Sequence, residues 1–516
     1  MDQAYYTGIS YWMKGQEMIT KGQKLRLWVI LLLLATVAYS PSLFGELVWD
    51  DHAVIEQNPQ MKQGVIPLLT TPFASAAHRG YWRPVVALSL WLDYQTGNGS
   101  PFPFRLVNLL LHMAVVVLFC LFVQELLPQR PFAAWTAAWL FALHPAQAEA
   151  VAWIVGRTNL LSALFALLTV KLGLHYFCSA KREHLLGAMI FFLFALLSKE
   201  SGIVVMILVP FFAWLKGPIE RRPALNWFLS TMGIAILWFS MRLYVLGSLT
   251  RDLTDVPFAD MSFLQRIPLA IAVLGRYVQL AFIPFKILPV YPGSILPANW
   301  VPSDPTFLLL LTILVGFFSL GSFFWRKEPF ILGGFIWFLV ALLPVSHLLL
   351  VLNFPIAARC MYLPLMGASL AVALLLEGLP LRLLRTLLVL LIVAISFSQV
   401  QSNCHMWSND VTLWRTCIAR RNGKATLRVL VEMGLALSEA GQAKEAMYWY
   451  SKAEQVNHNK YQLQVKMARA EMQLGHMKSA AKRLRAVLKD EPNNALAARN
   501  LVYLLSKVSR NRAINQ

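Results

Sequence analysis

The sequence is poor in charged residues and in cysteine, and both shortages limit the kind of protein it can encode. Only 14% of its 516 residues are charged, whereas 57% are hydrophobic. A soluble domain does not have this composition, so an ordinary soluble protein is excluded. The five cysteines are scattered, without CxxC or metal-ligand spacing, which argues against cysteine chemistry.

Acidic residues are also few, with 26 Asp and Glu against 46 Lys and Arg, for a net charge of +20. In a soluble protein this excess would suggest nucleic acid as a partner. Here Lys and Arg gather in the short connections between apolar runs, as the positive-inside rule expects of cytoplasmic loops. The charge therefore predicts membrane topology, and we expect the lipid bilayer, not nucleic acid, as a partner.

Apolar runs long enough to cross a bilayer as helices are abundant. We predict about eleven crossings in a transmembrane domain at 27–401, after a cytoplasmic N-terminus at 1–26. The segment 262–292, which Pro284 and Pro289 interrupt, is predicted to be re-entrant or interfacial. The predicted crossings are 27–44, 105–126, 132–148, 158–177, 184–198, 201–216, 225–246, 306–325, 330–350, 360–377 and 385–401.

Two long segments are predicted on the non-cytoplasmic side, and functional groups are expected there. The first is the loop at 45–104, whose tryptophans, tyrosines and prolines favour a folded interfacial loop with short helices. A simple spacer is the alternative. The second follows residue 401, with a linker at 402–425.

A repeat appears at 426–516 when the sequence is shifted by about 34 residues, the tetratricopeptide (TPR) period. Gly441 then falls on Gly475 and Ala446 on Ala480. We predict two helix-turn-helix units and a capping half-unit, which form a non-cytoplasmic TPR domain. So short an array is expected to lean on the membrane domain or on a partner.

Acidic residues beside a membrane domain are costly, and Asp50 and Asp51 follow the first span directly. One carboxylate could take the proton of an acceptor hydroxyl that attacks an activated carbon. Capping of a loop helix is the structural alternative. The pair could bind a divalent cation or work without one, and the sequence leaves open which aspartate is the base.

Further polar residues fall at the same predicted level of the membrane. Arginine and lysine together suit a phosphate-bearing ligand, although each alone could snorkel to the interface or pair with an acid. The set comprises His144, Glu149, Arg157, Lys199, Glu200, Arg242, Arg359 and Tyr362. His112 is expected to form hydrogen bonds inside the bundle.

The ordered motifs across the chain resemble those of the transmembrane and TPR-repeat-containing (TMTC) protein O-mannosyltransferases. The resemblance covers about 45–370 and the C-terminal repeats. It rests on Val48-Trp49-Asp50-Asp51, Tyr81-Trp82-Arg83-Pro84-Val85, Leu106-Val107-Asn108 through His112, Leu143-His144-Pro145, Ala148-Glu149-Ala150-Val151, Gly156-Arg157, Ser198-Lys199-Glu200-Ser201-Gly202 and Arg359-Cys360-Met361-Tyr362-Leu363-Pro364.

The resemblance implies a GT-C type fold: an all-α polytopic membrane bundle with a C-terminal TPR α-solenoid. It implies an inverting transferase that uses a polyprenyl-phosphate sugar, with Asp50 or Asp51 as base. The implied donor phosphate and sugar-binding residues are Arg83, His144, Glu149, Arg157, Lys199, Glu200, Arg359 and Tyr362. The chain has Ala358 where the family often has an acid, and fewer repeats than is usual.

The function predicted is transfer of a sugar, with mannose favoured, to a hydroxyl of an acceptor protein or peptide at the TPR surface. A Gly-rich phosphate loop is missing, which fits a donor without a nucleotide. The short tail suggests a prokaryotic relative in the bacterial inner membrane. The alternatives are transfer to a lipid-linked glycan or cell-envelope polymer, a non-catalytic TPR scaffold, and a transporter, although no internally repeated halves are visible.

Overall fold

The computed structural model describes residues 20–73, 80–247, 258, 261–291, 305–352, 354–456 and 461–514. Within these ranges the regular secondary structure is entirely helical, which confirms the predicted all-α fold. Parts of the predicted N-terminus, first loop, 262–292 segment and TPR domain lie outside the described residues.

The first loop and the membrane domain contain sixteen of the described α-helices. In chain order they are α1 (Lys21–Tyr39), α2 (Gln60–Gln63), α3 (Val65–Thr70), α4 (Pro84–Gly97), α5 (Pro101–Leu126), α6 (Pro131–Ala142), α7 (Gln147–Ala152), α8 (Arg157–Ser179), α9 (Arg182–Ser198), α10 (Val205–Lys216), α11 (Arg221–Leu246), α12 (Phe263–Phe282), α13 (Pro305–Phe324), α14 (Pro329–Leu342), α15 (Pro364–Glu377) and α16 (Arg382–Met406).

Six stretches of the described residues are long and apolar enough to cross a membrane, which supports a membrane protein. They are Lys21–Ser42, Pro101–Leu126, Ile154–Ser179, Arg221–Leu246, Phe307–Phe324 and Arg382–Met406. Pro329–Val345 and Pro364–Glu377 are shorter apolar helices. The count of about eleven crossings stays a prediction.

Prolines set where several helices begin. Helices α4, α5, α6, α14 and α15 all start at a proline, whose missing N–H is not needed in the first turn. Proline also divides the predicted crossing 132–148, because Pro145 lies between the end of α6 at Ala142 and the start of α7 at Gln147. The break leaves a polar turn inside the bundle, and that turn carries part of the candidate site.

Close helix packing inside the bundle depends on small residues. A Cβ atom on Gly334 of α14 would lie 2.5 Å from the carbonyl oxygen of Gly367 on α15. Only glycine permits the two backbones to approach this closely, as in many membrane helix pairs. Helices α14 and α15 therefore form a tight pair, and the turn before α15 carries Arg359.

The chain after α16 is also helical. It contains α17 (Asp410–Arg420), α18 (Leu427–Glu439), α19 (Ala443–Val456), α20 (Tyr461–Gln473), α21 (Met477–Asp490) and α22 (Ala495–Ile514). The segment expected to be a linker, 402–425, thus contains the end of α16 and all of α17. Asn409 begins α17 because its side chain accepts the N–H of Thr412 at 2.8 Å.

Helices α18 to α22 form the predicted helical solenoid. The turns between paired helices contain Gly441 and Gly475, which have left-handed φ angles of +76° and +81°. Ala446 and Ala480, one repeat apart, are completely buried. The first unit and one side of α20 share a hydrophobic core with the membrane domain, whereas the other side of α20, α21 and α22 form a separate core. The first repeat is therefore anchored on the membrane domain.

Candidate functional site

The two aspartates of the first loop lie between Trp49, a residue with a left-handed φ of +59°, and a π-helical turn at His52–Glu56. Asp51 is completely buried. Its Oδ2 accepts the N–H of Val48 at 3.1 Å, and its Oδ1 accepts the N–H of Val155 at 3.2 Å. Burial raises the pKa of Asp51 to about 7. Asp51 therefore ties the loop to the turn before α8, whereas Asp50 stays half-buried.

Glu149 holds Arg359 through two hydrogen bonds. Glu149 Oε1 accepts from Nη1 of Arg359 at 2.6 Å, and Oε2 accepts the backbone N–H of Arg359 at 3.0 Å. Burial alone would lower the pKa of Arg359, but the Glu149 carboxylate outweighs burial and holds it above its usual range. The guanidinium keeps its positive charge and interacts electrostatically with Asp50.

Aromatic rings surround the Arg359 guanidinium. Its Cζ lies 4.9 Å from the ring centroid of Phe354, 5.3 Å from that of Trp153 and 6.0 Å from that of Trp49. Such rings attract a cation and restrict its position. Arg359 is thus a fixed, charged group whose side chain remains 16% exposed.

Lys199, Glu200 and Arg83 form a second polar group between α9 and α10. Lys199 donates to Oδ1 of Asn159 at 2.5 Å, and Arg83 Nη2 donates to Oε2 of Glu200 at 3.0 Å. Burial lowers the pKa of Lys199, and the Arg83 and Arg359 charges lower it further. Burial would raise the pKa of Glu200, but Arg83, a backbone hydrogen bond and Arg242 together outweigh burial, and the net shift is downward. The two polar groups are therefore within electrostatic range of each other.

Some polar atoms in this second group, and one of the neighbouring Arg242, lack a hydrogen-bond partner among the described residues. Arg83 Nε, Glu200 Oε1 and Arg242 Nε are buried without a hydrogen bond. A small cavity lined partly by Lys199, Asn159 and Tyr362 lies nearby. Buried donors and acceptors without partners are costly and are commonly satisfied by a ligand or by water.

Two residues of the predicted site, Arg157 and Tyr362, form hydrogen bonds or ion pairs with other side chains of the bundle. Arg157 is fully buried; it pairs with Asp93 at 2.5 Å and donates from Nε to Oδ1 of Asn108 at 2.7 Å. Tyr362 donates to Nδ1 of His112 at 2.7 Å, so His112 has the expected hydrogen bond inside the bundle. These contacts place Arg157 and Tyr362 in the frame around the site.

His144 lies in the turn that Pro145 creates. Its Nδ1 accepts the N–H of Ala146 at 3.2 Å, and its Nε2 donates to the carbonyl of Ala281, at the end of α12, at 2.9 Å. In the same segment, the Tyr277 hydroxyl accepts the N–H of Ala357 at 3.2 Å. The segment predicted to be re-entrant or interfacial therefore packs beside the Arg359 turn as helix α12, and residue 292 lies outside the described part.

A tryptophan cluster joins distant parts of the chain around the site, and the sequence patterns did not predict it. Trp49 stacks on Trp153 with ring centroids 5.4 Å apart, and Trp153 stacks on Trp407 at 5.7 Å. Trp414 of α17 meets Trp49 edge to face at 5.6 Å. The sequence feature that indicated it was the density of tryptophan in the first loop.

Asp410 of α17 is a second residue that the motifs did not identify. Its Oδ1 accepts the N–H of Trp49 at 2.8 Å, and its Oδ2 contacts Nε2 of His52 at 2.9 Å. His52 also contacts Glu56 at 2.8 Å. Asp410 thus stabilises the turn that presents Asp50.

In the part of the chain that the structure describes, no three His, Cys, Asp or Glu side chains are grouped so that they could hold a metal ion. Both oxygens of Asp51 accept backbone N–H groups, so the two aspartates do not present a pair of carboxylates. The site instead combines one half-buried carboxylate, Asp50, with the cations Arg83, Lys199 and Arg359. Chemically, this suits proton removal beside a bound phosphate.

The fold is that of a helical membrane protein with several apolar helices of bilayer length and a C-terminal solenoid. Its candidate site combines the Asp50 carboxylate with several cationic side chains. No protein-family description matches the chain. Curated relatives do: a Caenorhabditis elegans protein O-mannosyl-transferase is 24% identical over 446 residues, which are 83% of this chain and 63% of that protein. Protein O-mannosyl-transferase Tmtc1 of Drosophila melanogaster is 34% identical over 183 residues, 34% of this chain and 21% of that protein.

Human protein O-mannosyl-transferase TMTC2 is 31% identical over 264 residues, 44% of this chain and 30% of that protein. The resemblance that the motifs indicate is therefore confirmed, because the curated relatives are TMTC-type protein O-mannosyl-transferases. The alignments span less than two thirds of these relatives' own length.

Proposed function

We propose that this protein is an inverting membrane glycosyltransferase. It moves a sugar, with mannose favoured, from a polyprenyl-phosphate donor to a hydroxyl of a protein acceptor on the non-cytoplasmic side. The observation that carries the proposal is geometric: Glu149 holds Arg359 beside Trp49, the residue before Asp50, and the turn that carries Arg359 lines one cavity with Lys199. The names of the curated relatives support glycosyl transfer to proteins.

In this proposal Asp50 is the general base. The acceptor oxygen attacks the anomeric carbon while the bond from that carbon to the phosphate oxygen breaks. The phosphate keeps the bonding electron pair, and Asp50 takes the hydroxyl proton. Asp51 is less suited to this role because it is buried and its two oxygens accept backbone N–H groups.

The cations bind the donor phosphate in this proposal. Arg359 supplies charged donors from a position fixed by Glu149, and Lys199 and Arg83 add positive charge. A phosphate is already a good leaving group, so the protein contributes mainly alignment and charge stabilisation. His144, Arg157, Glu200 and Tyr362 position the elements that carry these groups.

The proposed setting is a cellular membrane, with the bacterial inner membrane favoured. The N-terminus lies in the cytoplasm and the TPR domain on the opposite side. The reaction is proposed to proceed without a metal ion, and transfer measured in the presence of a chelator tests this.

The test is transfer of labelled mannose from polyprenyl-phosphate mannose to peptide acceptors by the purified full chain. Asp50→Asn should lower transfer by roughly 100-fold or more while the protein stays folded, because the base is lost. Glu46→Gln is the matched control, since Glu46 is an exposed acid of the same loop. Asp51→Asn should instead lower the thermal unfolding midpoint.

Other outcomes overturn parts of the proposal. Full transfer by folded Asp50→Asn with none by folded Asp51→Asn would assign the base to Asp51. Transfer only to a lipid-linked glycan would replace the protein acceptor. A wild type that neither transfers nor hydrolyses any lipid-phosphate sugar, and that no donor stabilises thermally, would favour the non-catalytic scaffold.

A further inference from the structure

The first helix of the solenoid, α18, lies directly against the candidate site. The guanidinium carbon of Arg428 is 5.5 Å from the ring centroid of Trp49, the residue before Asp50. Arg359 approaches the same ring at 6.0 Å. An exposed residue of the first repeat, Arg428, thus borders the turn that presents the proposed base.

Positions 34 residues apart are equivalent in the solenoid. Val429, Leu463 and Ala497 are such a set, and all are buried, with exposed fractions of 0%, 2% and 0%. Glu432, Lys466 and Asn500 are a second set of equivalent positions, on α18, α20 and α22. All three are half-buried. Because equivalent positions stack along a solenoid, this set forms one row.

Helix geometry places one end of this row near Asp50, because Glu432 follows Arg428 by one turn on the face of α18 that meets Trp49. Burial raises the pKa of Glu432, the nearby Lys466 and Arg428 charges lower it, and Asp50 and Asp410 raise it again. Glu432 is therefore within range of the proposed base on one side and of Lys466 in the next repeat on the other. The row leads away from the site along the first helices of the units.

Ion pairing varies among the charged residues of the solenoid. Arg483 is paired with Glu471 at 3.1 Å and with Glu454 at 3.4 Å. In the described part of the chain, neither Arg428 nor Lys466 forms an ion pair. Both charges act on Glu432, but neither is held in an ion pair with a described residue, so each can also attract an acidic group of a bound chain.

Resting on the proposed function, we propose that this row binds an extended acceptor segment. The accepting hydroxyl lies at Asp50, a basic acceptor side chain faces Glu432, and an acidic one faces Lys466. Packed helices are about 8–10 Å apart and an extended chain advances about 3.3 Å per residue. The acidic residue is therefore expected about three to five residues from the modified serine or threonine.

The experiment uses the full chain in lipid nanodiscs, polyprenyl-phosphate mannose, and matched peptides. Each peptide has one serine and carries either Asp or Lys three to five residues away on either side. The readout is the ratio of kcat/KM for the Asp peptides to that for the Lys peptides. Wild type should favour the Asp peptides, and Lys466→Glu should shift the ratio about fivefold to tenfold toward the Lys peptides.

Lys478→Glu is the matched control, because Lys478 is an exposed lysine of the same repeat on its second helix. It should keep the wild-type ratio. Lys466→Gln should give an intermediate ratio, which separates a charge effect from a folding defect. The thermal unfolding midpoints of all variants are measured in parallel.

The inference fails if wild type transfers mannose to the Asp and Lys peptides equally well. It also fails if Lys466→Glu and Lys478→Glu change the ratio equally. In both cases transfer itself is observed, so the proposed function stands. If wild type neither transfers nor hydrolyses the donor, the proposed function fails and this inference fails with it.

Discussion

Asp50 and Asp51 are neighbours in the chain, yet their side chains have different surroundings. Two backbone N–H groups hold the buried carboxylate of Asp51, whereas Asp50 is half-buried and within range of Arg359. The same contrast separates the arginines. Arg157 is buried and bonded to Asp93 and Asn108, whereas part of the Arg359 side chain is exposed. Burial and pairing, rather than residue type, distinguish structural from candidate functional groups.

At this scale we predict that Arg157→Met lowers the free energy of unfolding by roughly 3–5 kcal/mol, because the buried carboxylate of Asp93 loses its partner. Chemical denaturation in detergent measures this change. Arg182→Met, which replaces an exposed arginine, should have little effect.

The double variant Asp93→Asn with Arg157→Met tests the cause of that loss. It removes the unpaired charge, so it should recover part of the lost stability. A double variant no more stable than Arg157→Met alone would show that the packing of the arginine, not its charge, stabilises this region.

At the scale of helices and turns, proline and glycine decide where elements begin and end. Pro145 interrupts a run that is apolar enough to be predicted as one crossing, and the resulting turn carries His144 and leads to Glu149. Gly441 and Gly475 turn the chain between the helices of the two repeats. These breaks are as important for the site as the helices themselves.

Gly441→Ala and Gly475→Ala should each lower local stability by about 1–2 kcal/mol, because both positions have left-handed φ angles that alanine adopts at a cost. A Cβ atom at either position would meet nothing within 4 Å, so no steric clash contributes. Hydrogen exchange of the solenoid helices in the full chain measures the effect.

Gly233→Ala on α11 is the control for these two variants. Its added Cβ also meets nothing within 4 Å, but its backbone is helical, so alanine should be neutral or slightly stabilising. Equal effects at all three positions would mean that backbone conformation is not the cause.

At the scale of the whole molecule, the first loop, the last membrane helix and the start of the solenoid are packed together. Trp49, Trp153, Trp407 and Trp414 contact one another across these parts. Arg105 reinforces the junction by donating to the carbonyls of Ser42 at 2.9 Å, Ala152 at 2.8 Å and Trp407 at 3.0 Å. The solenoid therefore approaches the candidate site through a rigid junction.

This junction should depend on pH through His52. The hydrogen bond to Asp410 is the main cause that raises the pKa of His52 to about 9. The stabilisation is fully present below the unfolded pKa of about 6.5 and is lost as the pH rises through about 9. Amides of α17 should lose protection from hydrogen exchange between those values, after correction for the intrinsic rate.

His52→Asn is the comparison for that measurement. Without the titrating imidazole, the protection of α17 should be lower than in wild type near pH 6 and should change little up to pH 9. A variant with the same pH profile as wild type would show that another group controls the junction.

Most of the fold class could be predicted from the sequence because its signals are local. Apolar runs of bilayer length predict membrane helices, and a 34-residue period predicts the solenoid. Both are confirmed in the described residues. The helix boundaries are less accurate, because a proline inside an apolar run and a capping residue such as Asn409 shift them without changing the overall hydrophobicity.

The sequence by itself determined the all-α membrane architecture, the repeat and the set of polar motifs. The tertiary structure alone decided which of these residues come together. The contact between Trp49 and Asp410 joins residues 361 positions apart, and that between Glu149 and Arg359 joins residues 210 apart. No local period encodes such pairs, because they depend on how the helices pack. That packing buries Asp51, encloses Arg157 and places Asp50 beside the first helix of the solenoid.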